Sequence, residues 1–209
     1  MLQFFINNRT EVATLTREHV WLVAISMLLA CGIGLPFGIL LTRQPRLRTP
    51  VLGMANVAQT IPSLALFGFL LAVPWLGARA DRLAIVALTL YALLPIIRNT
   101  YAGISGVEPA IREAAVAMGM NDRQLLFQVE LPLAAGVILA GVRVATVITV
   151  GIATIAAAIG AGGLGEFIFR GVAMVNNQLI LAGAIPAALL AIVADLGLGL
   201  IQKWFQAAR

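Results

Sequence analysis

The chain of 209 residues is poor in nearly every residue type that soluble chemistry draws on, with one cysteine, one histidine, one lysine and only 11% charged residues. A lone Cys31 excludes an intrachain disulfide and a cysteine metal cluster, and its place in an apolar run reads as a small buried hydrophobe. His19 is the only imidazole and stands at the mouth of the first apolar run, where an interfacial role is expected; it cannot supply a Ser, His and Asp set. Carboxylates at catalytic spacing and a P-loop are missing too, so no catalytic residue, metal or cofactor is expected on this chain, which cannot hydrolyse ATP by itself. The formal charge of +5 comes mostly from arginines scattered over loops rather than from a basic stripe, so nucleic acid is not an expected partner.

What the chain has in abundance is apolar surface. A hydrophobic content of 61% and a mean hydropathy of +0.98 exceed what a soluble domain of this size hides, which predicts an all-α integral membrane protein in contact with lipid. A crossing takes about 20 mainly apolar residues. Five stretches qualify, at about 19–41, 51–73, 83–101, 134–159 and 179–201, and with no internal repeat or linker the expectation is one transmembrane domain over residues 1–209. Residues 1–18 alternate apolar and charged side chains as a short helix lying at the membrane surface does, and without a basic leader they are expected to stay uncleaved.

Topology follows from charge. The stretch 42–50 holds Arg43, Arg46 and Arg48 and no acid, which places it in the cytoplasm, the N-terminus outside and, after five crossings, the C-terminus inside. Arg98, Arg112, Arg123, Lys203 and Arg209 join the inner side, while Arg9, Arg17, Arg79, Arg82 and Arg170 fall outside.

Polar groups inside spans are costly against lipid, so they face a cavity or another helix. Gln59, Thr60 and Ser63 flank Pro62 in the second span, and Asn99 closes the third, which Pro95 is placed to kink; these four polar residues are candidate pathway-lining groups. Arg143 and Asp195 lie roughly 15 and 10 Å deep at 1.5 Å per residue, as a functional charge pair or as one structural interhelical ion pair. Gly160-Ala161-Gly162-Gly163-Leu164-Gly165 matches the letters of a dinucleotide fingerprint but follows a membrane helix and lacks the acid about 20 residues on, so a glycine bend that lets helix ends approach is expected.

The longest polar interruption is Glu108 to Pro132. Pro109 suits a first helical position and Gly119 a residue just past a helix end; Asn121 and Gln124 then form a capping-box pattern, and Pro132 is expected to stop the second helix. The result is helix, glycine corner, helix, with Glu113, Ala114 and Ala115 as a narrow ridge. It reads either as a docking element or as an amphipathic interfacial loop.

Glu-Ala-Ala, then Gly119, then Val129-Glu130-Leu131-Pro132 resembles the signature loop of the permease subunits of ATP-binding-cassette importers, with valine where that family usually has isoleucine or leucine. Over nearly the whole chain, VLGMANVAQTIPSLALFGFL (51–70), YALLPIIRNTYAGI (91–104) and IGAGGLGEFIFRG (159–171) resemble one branch, the permeases of osmoprotectant importers for glycine betaine, choline and carnitine. The resemblance implies a MetI-like type I importer fold in a bacterial inner (cytoplasmic) membrane. It implies that Glu113, Ala114, Ala115 and Gly119 dock on a cytoplasmic ATPase dimer carrying ATP and Mg, beside a second, identical or sister permease subunit. It also implies an extracytoplasmic solute-binding protein, which Glu166 and Arg170 could meet unless they are only a solvated pair at helical spacing. Ergothioneine or an amino acid such as methionine is the alternative cargo on the same machinery. The alternative from another class is a stand-alone ion-coupled carrier or channel, for which inverted repeats would be expected.

Overall fold

The computed structural model describes residues 2–207, and Arg209, counted above on the inner side, lies outside them. Helices alone make up its regular structure: α1 (Leu2–Asn7), α2 (Arg9–Arg43), α3 (Pro45–Thr60), α4 (Ser63–Leu71), α5 (Pro74–Gly77), α6 (Ala80–Ser105), α7 (Pro109–Ala117), α8 (Asp122–Gln124), α9 (Leu131–Ala156), α10 (Gly165–Ala173) and α11 (Asn177–Ala207). A π turn (Leu125–Glu130) joins α8 to α9 and a 3-10 turn (Ala157–Ile159) follows α9. Four helical stretches are long and apolar enough to cross a membrane, and α3 with α4 makes a fifth if the bent pair is one span.

Helix α6 is the hub. In its most apolar stretch 61% is buried, against 22 to 39% for the other three unbroken spans, because α2, α4 and α9 all pack around it. Leu22, Met27 and Ala30 of α2, Phe67 of α4, Leu83, Leu88 and Ile96 of α6, and Ala145, Val150 and Ala153 of α9 form the core. Small residues set the helix spacing: Gly34 and Gly38 of α2 lie on Ile96 and Thr100 of α6, and Gly141 of α9 lies on Asn99 and the Pro95 carbonyl.

Several expectations change. Residues 9–18 do not lie at the surface as a separate helix; they are the first turns of α2, and Leu15 with half-buried Phe4, Phe5 and Val12 packs on Phe167 and Leu179. The amphipathic stripe is answered by α10 and α11. His19 is wholly buried, with the glycine loop packed against it. The loop expected at 42–50 shrinks to Gln44, since Pro45 starts α3 at a first-turn position that needs no amide donor. The second span is broken at Pro62, the proline of its polar patch: α3 and α4 meet at 97°, because Pro62 offers no donor and its ring holds Ile61 extended at φ −71°, ψ 124°.

Pro132 does not stop the helix after Gly119. The π turn shifts each amide to a carbonyl five residues back, a wider winding that accommodates the ring, and the helical run from Asp122 continues through it to Ile159. Pro95 lies inside α6, which runs as one helix from Ala80 to Ser105.

Candidate functional site

The knuckle between α6 and α9 is built much as its residues predict. Asn121 caps α8, accepting from the backbone amides of Arg123 (3.1 Å) and Gln124 (3.0 Å), while the Gln124 side chain accepts from the Asn121 amide at 2.9 Å. Gly119 turns the corner at φ +85°, a conformation that a side chain would strain. Helix α7 buries only Ala115; Glu113 and Ala114 are exposed, as are Val116, Met118 and Phe127 around them. So Glu113, Ala114 and Gly119 are open to the surroundings, as are several apolar side chains of the same knuckle, and Ala115 is the foot on which α7 stands.

Beneath that surface lies an ion cluster that residue-by-residue reading missed. Glu130, in the π turn, is completely buried and receives Arg43 from the end of α2, with Nη1 donating to Oε1 at 3.3 Å and Nη2 donating to Oε2. Arg112 of α7 brings Nε to 3.1 Å from the same Oε1, out of line for a hydrogen bond, while its Nη2 donates to the Ile104 carbonyl at the end of α6. Arg43 and Arg112 had been counted only as inner-side charge. The available signal was Glu130 itself, an acid wedged between apolar residues just ahead of a span, which calls for a buried partner.

Among the candidate pathway residues, Gln59, Thr60 and Ser63 gather at the bend, and Asn99 does not join them. The Gln59 amide donates to the Tyr91 carbonyl at 2.9 Å, the carbonyl that Pro95 leaves without its helical donor. Tyr91 returns the contact, its hydroxyl donating to the Ile61 carbonyl at the break. Thr60 is exposed and Ser63 half-buried. Asn99 lies eight residues along α6 from Tyr91, about 12 Å at 1.5 Å per residue, against Gly141, with its amide on the Pro95 carbonyl at 2.8 Å.

At the opposite end the glycine loop is clamped by α2. The Gly163 amide donates to Glu18 at 3.1 Å, and His19, whose Nε2 is 3.2 Å from the Val150 carbonyl, packs on the Gly163 backbone, which turns at φ +84°. No strand leads into this loop among the described residues, and its contacts hold helix ends together. Arg170 pairs with Glu11 of α2 and lies over the Phe167 ring at 5.7 Å, whereas Glu166, half-buried, has no ion pair among the described residues. Arg143 and Asp195 do meet: Nε and Nη2 donate to Oδ1 (3.0 and 2.9 Å), Nη2 also to Oδ2 (2.9 Å), and Nη1 donates to Gln202 at 2.8 Å. Gln202 in turn donates to the Gly136 carbonyl at 2.9 Å, so the pair and its partners tie α9 to α11. Among the described residues no three His, Cys, Asp or Glu side chains converge as a metal site would need.

Residues 34–208 match the family described as binding-protein-dependent transport system inner membrane component. The chain is 42% identical over 202 residues to the carnitine transport permease protein OpuCB of Listeria monocytogenes, covering 97% of this chain and 91% of that one. It is 48% identical over 187 residues to the glycine betaine/carnitine/choline transport system permease protein OpuCD of Bacillus subtilis, covering 89% and 80%. A solved structure of the MetNI methionine ABC transporter superposes with a TM-score of 0.82 over 93% of this chain and 95% of that one at 22% identity, which shows a shared fold.

Proposed function

The chain belongs to the inner membrane components of binding-protein-dependent transport systems, and from that membership we propose that it is the transmembrane subunit of an ATP-driven importer for a quaternary ammonium osmoprotectant: glycine betaine, choline or carnitine. The observation that carries the cargo class is the identity of 42 to 48% to two permeases named for those compounds, along almost the full chain. The methionine transporter shares the fold at 22% identity, too low to carry its substrate across.

On this reading residues 1–209 form one permease domain with the N-terminus outside and the C-terminus in the cytoplasm. A cytoplasmic ATPase dimer, holding ATP and Mg, docks on Glu113, Ala114 and Gly119, with Ala115 buried beneath them as their support; the exposed carboxylate and the exposed Val116 and Met118 favour this reading. A second permease subunit, identical or sister, completes the pathway, to which Gln59, Thr60, Ser63 and Asn99 are assigned. The solute-binding protein meets the end that carries Glu166 and Arg170. Closure of the ATPase dimer draws the docked helices together and the two bundles rock between outward- and inward-facing states. A stand-alone carrier driven through Arg143 and Asp195 has less support, because that pair is closed on itself by Gln202 and such a carrier gives α7 no purpose.

The test is reconstitution of the chain with its ATPase and binding protein in proteoliposomes. ATP-dependent uptake of labelled glycine betaine, choline or carnitine, but not methionine, is expected, and Gly119→Trp is expected to abolish co-purification of the ATPase. Uptake that needs no ATP, or an ATPase indifferent to Gly119→Trp, would overturn the reading.

A further inference from the structure

We infer that Glu130, gripped by Arg43 and Arg112, is the positioning residue that fixes the docking helix α7 to α2 and α9 at once, so that displacement of α7 reaches two spans together rather than passing along the chain. The inference rests on the reading of 108–132 as the ATPase dock. Its argument is how little else holds α7. The helix buries one side chain, Ala115, and its remaining faces are open or half-open. A docking helix so lightly packed could slide over the bundle without moving it.

The arginines prevent that. Arg112 leaves the middle of α7 and reaches the Ile104 carbonyl and Glu130, while Arg43 closes the last turn of α2, where a cation also suits the helix dipole. Glu130 is 1% exposed at its side chain, against 39% for Arg43 and 30% for Arg112. A buried carboxylate cannot trade its partners for water, so moving α7 away from α2 or from the π turn takes Arg112 from Glu130 and leaves that carboxylate with Arg43 as its remaining partner. Each arginine keeps one side toward solvent and follows the carboxylate. The joint therefore resists separation while it tolerates rotation, as a hinge pin does. Glutamate suits the place because both oxygens are used: Oε1 faces both arginines and Oε2 faces Arg43.

The experiment uses the assembled importer in proteoliposomes with saturating glycine betaine-loaded binding protein, and reads both uptake and ATP hydrolysis. For Glu130→Gln the ATPase is expected to stay bound and to hydrolyse ATP, while substrate moved per ATP falls about tenfold. Glu130→Asp recovers part of that ratio, and Arg43→Gln, which leaves the Arg112 contact, falls between. An unchanged ratio in Glu130→Gln with the complex intact overturns the inference. So does failure of both Glu130→Gln and Arg43→Gln to assemble, which would make the cluster a folding element only. If the unaltered complex neither binds the ATPase nor takes up substrate with ATP, the reading of the dock has failed, and that result is distinct from either.

Discussion

Replacing Gly38 by alanine tests the packing on which the bundle depends. A Cβ at this position would lie 2.5 Å from Thr100 Cβ, 2.7 Å from its Cγ2 and 3.0 Å from the Ile97 carbonyl, all on the buried side of α6. Ordinary contact begins near 3.4 Å, so α2 and α6 must part by about 1 Å at their closest approach. Overpacking of this kind costs about 1–3 kcal/mol, offset by up to about 1 kcal/mol because alanine is the better helix former. The net expectation is a loss of about 1–2 kcal/mol, or a melting temperature lower by about 2–8 °C in a chain of this size. The same substitution at Gly151 of α9, which is exposed and has nothing within 4 Å of a built Cβ, isolates the propensity term and is expected to be neutral or stabilising by up to about 1 kcal/mol. Thermal unfolding of the detergent-solubilised protein compares the two. Thr100→Gly in the Gly38→Ala background removes both side-chain clashes and, since the Thr100 hydroxyl is buried without a partner, gives up no hydrogen bond, so part of the loss is recovered. Gly38→Ala as stable as Gly151→Ala would refute the close approach of α2 and α6.

Tyr91→Phe removes the hydroxyl that caps the Ile61 carbonyl at the bend and is expected to cost about 1–2 kcal/mol, read by thermal unfolding; an unchanged melting temperature would mean that the bend does not need it. Asp195→Asn leaves Arg143 with one neutral partner in place of a bidentate anion. The pair is 30% and 39% exposed, so about 1–2 kcal/mol is expected rather than the 3–5 kcal/mol of a fully buried pair, and a double-mutant cycle with Arg143→Gln that shows no coupling would dispose of the contact.

Much of the architecture was legible because apolar run length is a strong signal: the five expected stretches fall on α2, on α3 with α4, and on α6, α9 and α11. The knuckle was legible as well, since the Asn121 and Gln124 cap and Gly119 are local chemistry that no distant contact needs to decide. What the sequence hid was tertiary. A pattern such as that of residues 9–18 shows that an apolar stripe will be covered, but not whether lipid or α10 covers it. Proline showed where a donor is missing, yet only the fold shows that Gln59 supplies one for Pro95, that a π turn accommodates Pro132, and that nothing spares α3 and α4 their bend at Pro62. Buried Glu130 and its two arginines lie far apart in sequence, so spacing rules could not gather them.

Helix α2 carries 35 residues, which at 1.5 Å each make a rod of about 52 Å against a hydrocarbon layer of roughly 30 Å. One end sits in the Glu130 cluster and the other, through Glu11, Glu18 and His19, grips the glycine loop and α10. Such a lever amplifies: pivoted at Arg43, a tilt of about 5° swings its far tip through about 4.5 Å, so an adjustment barely visible at one membrane face becomes a displacement wider than a water molecule at the other.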